Sequence, residues 1–275
     1  MELWEPKLRI ERTYRKSLDK LFRKTLELFR KCDSVEEFRH LMQRWSETKE
    51  FGIYAESLAN KMVTGLFDDI GNTWRQAARH NSRSREIYNL LMRNMTPARR
   101  AAIDQLIFEN SELIKTLPDT TAQNVADVVR RQTLAGRRAD EIAKDIIKMF
   151  PKRTEARANL IARTEVAKTH TALIQTDCQD IGANWYFWHA THDKRCRASH
   201  RLMDGVLCNW NDPPNPEKLF PGTQKPYGTY APGCTFNCRC YPEPLVHPSQ
   251  ITGTCKVHRS GSIVRMTRAQ VLRLI

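Results

Sequence analysis

Five of the eight cysteines and three of the eight histidines fall between residues 188 and 241 of this 275-residue chain. The segment is rich in proline and glycine and has little regular apolar spacing, so it cannot bury much apolar surface by itself. Thiolates and imidazoles are the side chains that bind zinc in proteins. We therefore expect a metal ion to hold this segment together. The residues concerned are Cys196, Cys208, Cys234, Cys238, Cys240, His189, His192 and His200.

Four of these residues have spacings that suit one tetrahedral zinc site. Cys196 and His200 are four residues apart, which a turn or a short helix can bridge. Cys238 and Cys240 are two residues apart and lie on one side of an extended chain. A site with four protein ligands leaves no position for water, so the expected zinc, one per chain, is structural.

Alternatives to this ligand set stay open. Cys208 or Cys234 could replace one of the four ligands. The cysteines could also be ordinary packed side chains beside a hydrogen-bonded His200. A further short pair, Cys255 and His258, is interpreted as incidental.

A catalytic interpretation uses other residues of the same segment. A metal-dependent nuclease acting on DNA would need metal ligands, a base and an open coordination position. Its candidates are His189, His192, Asp193 and His200. We favour turn roles for Asp193 and for Asp204, which precedes a glycine, with an ion pair from Arg239 to one of them. We therefore predict no catalytic residues and no enzyme.

The composition favours an acidic partner. The formal net charge is +14 and the sequence pI is about 9.6, which is typical of proteins that contact nucleic acid. Charges occur throughout the first residues, so no signal peptide is predicted, and no apolar run of about 18 residues predicts a membrane span. The cysteines are then expected to be reduced, which favours metal binding over disulfides.

The elements that must position these residues are mainly helical. Apolar residues recur at helical spacing over about 7–31, 35–45 and 50–80, and helices continue to about Gly182. Thr96 before Pro97 predicts a helix start, whereas Pro118 and Pro151 predict helix ends.

After residue 182 the pattern changes. An aromatic stretch at 185–188 predicts a short strand. Beyond Tyr241 we expect further short strands, a turn at Ser260 and Gly261, and a final helix capped by Thr267. The predicted fold is mainly α, with a helical N-terminal two-thirds followed by a small mixed α/β, loop-rich, zinc-held C-terminal module.

The order of several short motifs resembles a known family. LAGRRADEIAKDI and IARTEVAKTH precede the aromatic strand, and DKRCRASHRLMDG and PGCTFNCRCYP follow it. Over about residues 130–245 this combination is similar to the phage Mu protein F-like head morphogenesis family of minor head proteins. By this resemblance Arg163, Thr164 and Glu165 carry the helix signature of the family. The loop signature is carried by Asp193, His200, Gly205, Asn237, Cys238, Arg239 and Cys240.

The resemblance implies a component of a phage particle rather than an enzyme. The expected location is the head interior or portal vertex, after assembly in the host cytoplasm. The implied partners are the portal protein, with the major capsid or scaffold protein as further candidates, and double-stranded DNA bound without sequence preference; no membrane is expected. We predict three regions: 1–130, a helical part that docks on the portal or another partner; 131–245, the family domain; and 246–275, C-terminal strands and a short helix. A DNA-binding regulator with a zinc module is a further hypothesis, which sequence-selective binding would identify.

Overall fold

The computed structural model describes residues 3–79, 82–220 and 227–275. Helices dominate as far as Asp180 and a small mixed sheet follows, so the predicted mainly α fold with a small mixed C-terminal module is confirmed. Residues 221–226 of the Pro-rich segment lie outside the described residues. The described helices are α1 (Leu8–Phe29), α2 (Val35–Ser46), α3 (Lys49–Ala77), α4 (Ser82–Arg93), α5 (Pro97–Leu134), α6 (Ala139–Asp180), α7 (Ala198–Leu202), α8 (Pro216–Leu219) and α9 (Arg268–Leu272). The described strands are β1 (Trp185–His189), β2 (Val206–Asn209), β3 (Tyr241–Pro244), β4 (Cys255–Arg259) and β5 (Ser262–Met266), and a 3-10 turn covers Pro248–Gln250.

Helix starts follow the capping residues in the sequence. The Ser34 hydroxyl accepts a hydrogen bond from the Glu37 amide at the start of α2. Thr96 accepts one from the Arg99 amide at the start of α5, and Thr267 caps α9 as predicted. Each of these bonds satisfies an amide that has no partner within its own helix.

The predicted helix ends at Pro118 and Pro151 are wrong, because both prolines lie inside long helices, α5 and α6. A proline inside a helix removes one hydrogen bond and crowds the preceding turn, at a cost of about 3 kcal/mol. The apolar stripe of each helix continues across its proline, through the buried residues Ile114, Leu117, Ala122 and Val125 in α5 and Ile146, Phe150 and Ala158 in α6. Burying one large apolar side chain contributes about 1.5–3 kcal/mol, so a stripe of several outweighs the proline.

The chain divides into two compact units. Unit 1 comprises Met1–Leu8, Thr64–Asp104 and Arg163–Ile275, and unit 2 comprises Arg9–Val63 and Gln105–Ala162. Unit 2 is helical, and unit 1 contains the sheet. The division into 1–130, 131–245 and 246–275 stays a prediction. One core cluster of unit 2 consists of Leu26, Phe38, Met42, Ala122, Val125, Ile142, Ile146 and Phe150.

The sheet of unit 1 has the described strand order β3-β1-β2-β4-β5. β1 is antiparallel to both β2 and β3, β2 runs parallel to β4, and β4 is antiparallel to β5. Tyr186 and Trp188 alternate with less buried residues along β1 and are fully buried. This alternation is the period of a strand with one face in the core, and it confirms the predicted strand. The predicted turn at Ser260 and Gly261 joins β4 to β5, and both residues have positive φ.

A buried polar cluster holds the C-terminal end of α6 within unit 1. Asp177 accepts hydrogen bonds from the Trp74 indole and from the Arg99 guanidinium, each at 2.9 Å. Arg99 also donates to the Leu91 carbonyl at 2.6 Å. Because a buried charge is costly unless it is paired, these bonds fix α6 against α3 and α5 inside this unit. Among the described residues, no helix combines the length and the apolar character that a membrane crossing requires.

Candidate metal centre

Three of the four predicted ligands meet in unit 1. Candidate ligand atoms of His200, Cys238 and Cys240 all lie within 4.8 Å of one another, and the three residues are buried. His200 Nδ1 is 3.4 Å from each of the two Sγ atoms. A tetrahedral zinc with Zn–N of about 2.0 Å and Zn–S of about 2.3 Å has N···S edges of roughly 3.5 Å. The spacing and the donor set therefore fit a zinc ion.

Cys196, the fourth predicted ligand, lies beside this cluster. Its half-buried thiol is hydrogen-bonded to the Cys240 side chain, and that bond lowers the pKa of Cys196. Cys196 Sγ is also 3.7 Å from the Arg197 carbonyl. It is not a member of the group whose ligand atoms all lie within 4.8 Å of one another. The four-ligand set therefore stays a prediction, with Cys196 next to one member of the observed group.

The two alternative cysteines make other contacts. Cys208 is fully buried in β2, and its Sγ faces the Val206 carbonyl at 3.6 Å. Cys234 Sγ lies 3.9 Å from the Pro232 carbonyl, and burial raises its pKa to about 12. Neither thiol joins the mutual group among the residues that the structure describes.

The thiols of the cluster are hydrogen-bonded to one another. The hydrogen bond from Cys240 lowers the pKa of Cys238 well below its ordinary range, while burial opposes this shift. Cys238 Sγ also accepts the Cys240 backbone amide at 3.4 Å. A thiolate is the form of cysteine that binds metal, so this environment favours the ligand form of Cys238.

Local backbone geometry presents the ligands from two separate segments. His200 lies on the single-turn helix α7, whereas Cys238 and Cys240 directly precede β3. The Cys238 amide donates to the Thr235 carbonyl at 3.2 Å, and Asn237 between them has a positive φ of 60°. Asparagine tolerates this left-handed conformation better than most residues. The chain therefore turns immediately before the two thiols.

The second ring nitrogen of His200 is fixed by a buried network. His200 Nε2 is 2.9 Å from the Tyr230 hydroxyl, which is 2.7 and 2.8 Å from the two carboxylate oxygens of Glu217. Ser199 donates to the same carboxylate at 3.1 Å. The Tyr230 hydroxyl has one proton, so we assign it as donor to Glu217 and as acceptor from His200 Nε2. This assignment leaves Nδ1 with a lone pair that faces the thiols, as metal binding requires.

Sequence reasoning missed Tyr230, Glu217 and Ser199. The sequence signal for Glu217 is a local one, because Asn215 before Pro216 is typical of a helix start. Asn215 does accept the Lys218 amide at 3.1 Å at the start of α8. That turn buries Glu217, whose residue exposure is only 2%.

Helix α6 holds the second ligand segment in place. The Thr164 hydroxyl accepts the Asn237 amide at 2.9 Å, and the Arg163 guanidinium donates to the Asn237 side-chain oxygen. Thr171 donates to the Pro232 carbonyl at 2.7 Å. A Cβ at Gly233, where φ is 84°, would lie 2.9 Å from the Thr171 hydroxyl oxygen and 3.0 Å from two backbone oxygens. The predicted helix and loop signatures therefore contact each other directly.

Four arginines line the cavity next to the three clustered ligands. A cavity of about 60 Å³ next to the three ligands is lined by Arg163, Arg195, Arg197 and Arg239, among other residues. Arg197 donates to the Thr235 hydroxyl at 2.8 Å and to the Phe236 carbonyl at 2.9 Å. Arg197 thereby joins the two ligand segments, and nearby positive charge stabilises thiolates.

Among the described residues, those of the nuclease hypothesis do not form a metal-binding group of their own. His189 pairs with Glu243 at 2.8 Å, and His192 is exposed, with Asp204 3.5 Å away. Asp193 accepts the Arg195 amide and lies 3.5 Å from Arg239, which confirms its predicted turn and ion pair. Within the described ranges, no second group of three metal-binding side chains is found.

The remaining predicted contacts concern Asp204 and the pair near the C-terminus. Asp204 accepts the Ala190 amide at 2.8 Å, and Gly205 beside it has a positive φ of 72°, as expected of a turn. His258 Nδ1 lies 3.0 Å from the Asp212 carbonyl. Neither Cys255 nor His258 belongs to the metal-binding group.

Comparison with known proteins identifies the segment that contains this centre. Residues 123–242 match the family model described as Phage Mu protein F like protein, which confirms the resemblance seen in the sequence. This is a phage head-related family, and the matched range includes both the α6 signature and all the candidate ligands. A Haemophilus influenzae protein described as uncharacterized is 29% identical over 171 residues, or 62% of this chain. The chain spans only 34% of the length of that relative. No solved structure matches this chain.

Proposed function

We propose, on the premise that residues 123–242 form a Phage Mu protein F like segment, that this protein is a minor head protein of a tailed bacteriophage. Its role is structural and concerns head assembly, with the portal protein and packaged DNA as partners. The observation that carries the proposal is the direct contact between the α6 signature and the loop that presents Cys238 and Cys240. This contact supports a folded, metal-held module rather than an exposed reactive group.

The metal centre is proposed to be a structural zinc site with Cys196, His200, Cys238 and Cys240 as ligands. Three thiolates and one imidazole are a common ligand set for closed structural zinc sites. Cys238 and Cys240 are 5% and 2% exposed, so a bound ion would be largely shielded from water. The loop between His200 and Cys238 contains little regular structure, and a metal bond across it would offset the entropy of ordering it.

Packaged DNA is the proposed acidic partner. The formal net charge of +14 favours contacts with phosphates, which need no sequence preference. Lys194 and Arg195 are exposed next to the metal centre and carry part of this charge. The proposed locations are the head interior or the portal vertex, where such a surface would meet DNA.

The assembly role is tested by following the protein through particle assembly. The protein should be found in procapsids and mature particles of the phage that encodes it, and it should co-purify with the portal protein. Absence from both kinds of particle would overturn the proposal. A variant that lacks the metal centre, Cys238→Ser with Cys240→Ser, should be made but should enter particles poorly.

DNA binding is tested by its dependence on salt. We expect binding to unrelated duplexes with equal affinity, and an affinity that falls as the salt concentration rises. Lys194→Glu with Arg195→Glu should reduce the slope of log affinity against log salt by about 2, since each phosphate contact contributes about 0.9. Lys256→Glu with Arg259→Glu, at two exposed positions on β4, is the matched control and should change the slope less. Binding that ignores salt, or that prefers one sequence strongly, would contradict the proposal.

A further inference from the structure

A groove in unit 2 has an apolar floor and a basic rim. It has a volume of about 430 Å³ and lies along α5 and α6, between Thr121 and Arg131 on one side and Ile146 and Leu160 on the other. Its apolar lining includes Val125, Val128, Ile146, Met149, Phe150 and Leu160. Leu160 is 41% exposed, so part of this apolar surface faces solvent. Exposed apolar surface that is concave and rimmed by charge is typical of a docking site.

The charge at the rim has one sign. Arg131, Arg153 and Arg157 line the groove, and none of the described lining residues is acidic. The Nε atom of Arg157 is buried and has no hydrogen-bond partner among the described residues. Because that atom is out of reach of a ligand, pairing with a carboxylate must use the terminal N–H groups of the arginines, and Arg131 and Arg153 are exposed while Arg157 is half-buried. The groove therefore combines an apolar surface with donors that are suited to carboxylates.

The walls of the groove determine the shape of the occupant. α5 and α6 are helices, so they offer no free strand edge for an extended peptide. An occupying segment must satisfy its own backbone hydrogen bonds, which a helix does. The lining spans eleven residues of α5 and fifteen of α6, so its ends lie about 15 and 21 Å apart along the two helices at a rise of about 1.5 Å per residue. A partner helix of three to four turns fits this length.

We infer that this groove binds an acidic amphipathic helix of a partner protein. Apolar side chains of the helix, three and four residues apart, fill the floor, and glutamate or aspartate side chains beside them pair with Arg153 and Arg157. The inference depends on the groove itself and goes beyond the proposed function, which names a partner but no surface. DNA is a poorer occupant, because phosphates gain nothing from the apolar floor.

The test uses the full chain and three synthetic helical peptides of 14 residues. The first has leucine at helical spacing and glutamate beside it, the second replaces each glutamate with lysine, and the third replaces each leucine with serine. We expect the first peptide to bind in fluorescence anisotropy, and the second and third to bind at least tenfold more weakly. No binding of the first peptide, or equal binding of all three, would overturn the inference.

Charge reversal locates the binding surface. Arg153→Glu with Arg157→Glu should weaken the glutamate peptide at least tenfold and improve binding of the lysine peptide. Lys144→Glu with Lys148→Glu is the matched control, because both residues are exposed on the same helix but do not line the groove, and it should leave binding within about twofold. If Arg157→Glu disturbs folding in circular dichroism, Arg153→Glu with Leu160→Ser replaces it, since both residues are exposed.

Cross-linking provides an independent measurement. Benzoylphenylalanine at position 160 should capture the glutamate peptide on illumination, and the same group at position 148 should not. Capture at both positions or at neither contradicts the groove as the site. If a 15-base-pair duplex competes fully with the peptide, and Arg153→Glu with Arg157→Glu abolishes duplex binding, the groove is a DNA surface and the inference fails. None of these results depends on whether the protein enters phage particles.

Discussion

The backbone amide of Asn237 donates a hydrogen bond of 2.9 Å to the hydroxyl of Thr164, 73 residues earlier in the chain. Cys238 follows Asn237 directly, so this bond connects α6 to the segment that presents two of the three clustered ligands. Arg163 bonds the side chain of the same asparagine. The position of the thiols therefore depends on a helix that supplies no ligand.

Replacing Thr164 with valine should destabilise unit 1 by about 1 kcal/mol, because the Asn237 amide loses its acceptor while the side-chain shape is kept. The measurement is the free energy of unfolding in urea, followed by tryptophan fluorescence. Thr164→Ser keeps the hydroxyl and is the control. Equal stability of the valine and serine variants would show that the bond contributes nothing.

Protein purified without added zinc should contain about one zinc per chain by elemental mass spectrometry. His200→Ala, Cys238→Ser and Cys240→Ser should each lose the metal, because a site with a missing ligand binds weakly. Cys255→Ser, which changes a cysteine outside the cluster, should keep it. A metal-free C-terminal module that is still folded would overturn the zinc site.

The fourth ligand can be identified by comparing three cysteines. Cys196 is hydrogen-bonded to Cys240, so we expect Cys196→Ser to reduce the zinc content, whereas Cys208→Ser and Cys234→Ser should retain it. If Cys208→Ser or Cys234→Ser loses zinc while Cys196→Ser keeps it, the fourth ligand is Cys208 or Cys234 instead of Cys196.

Tyr230→Phe should weaken zinc binding by about 10- to 100-fold, the effect expected when the hydrogen-bonded partner of a ligating histidine is removed. It leaves the buried Glu217 carboxylate without its tyrosine partner and frees His200 Nε2. Competition with a chromophoric chelator measures the affinity. Tyr227→Phe changes a nearby exposed tyrosine and should have no such effect; an equal loss in both variants would point to a general change in the loop.

Because His170 is buried, we expect the protein to become less stable in mild acid. Burial, with a smaller effect from the charge of Lys7, lowers the pKa of His170 from 6.5 to about 3. The unfolded chain binds this proton below about pH 6.5 and the native protein does not until about pH 3, so the free energy of unfolding falls by up to about 1.4 kcal/mol per pH unit between these values. The contribution is fully present above pH 6.5.

His170→Gln isolates this contribution from the other titrating groups. The free energy of unfolding of the variant, minus that of the natural protein, should increase as the pH is lowered from 7.5 to 5. Urea unfolding at several pH values, with the zinc concentration held constant, measures the difference. A difference that does not change with pH would show that His170 titrates alike in both states.

Much of the candidate site could be predicted because its signals are local. The spacings of Cys196 with His200 and of Cys238 with Cys240 indicate a ligand set without any knowledge of the fold. The capping residues Thr96 and Thr267 act on amides only three residues away, and each lies where the sequence predicts it.

The missed features depend on non-local packing. Tyr230 and Glu217 are thirteen residues apart in an irregular segment, and no pattern in the sequence indicates that they meet. The helix ends predicted at Pro118 and Pro151 are wrong, because the tendency of proline to end a helix competes there with the burial of apolar side chains along the whole helix. That competition is decided by what packs against the helix.

The parallel pairing of β2 with β4 has a consequence for the last 30 residues. Val206 and Leu207 of β2 pair with Lys256 and Val257 of β4, which lie beyond residue 242, where the family match ends. A chain cut after residue 245 would leave β2 as an open edge strand, and its unpaired amides and carbonyls could accept a strand from another molecule. It would also expose Leu207 and Leu245, which pack against Ile251, Val257 and Val271. Residues 246–275 therefore cover the β2 edge of this sheet. We expect a chain without them to self-associate through β2.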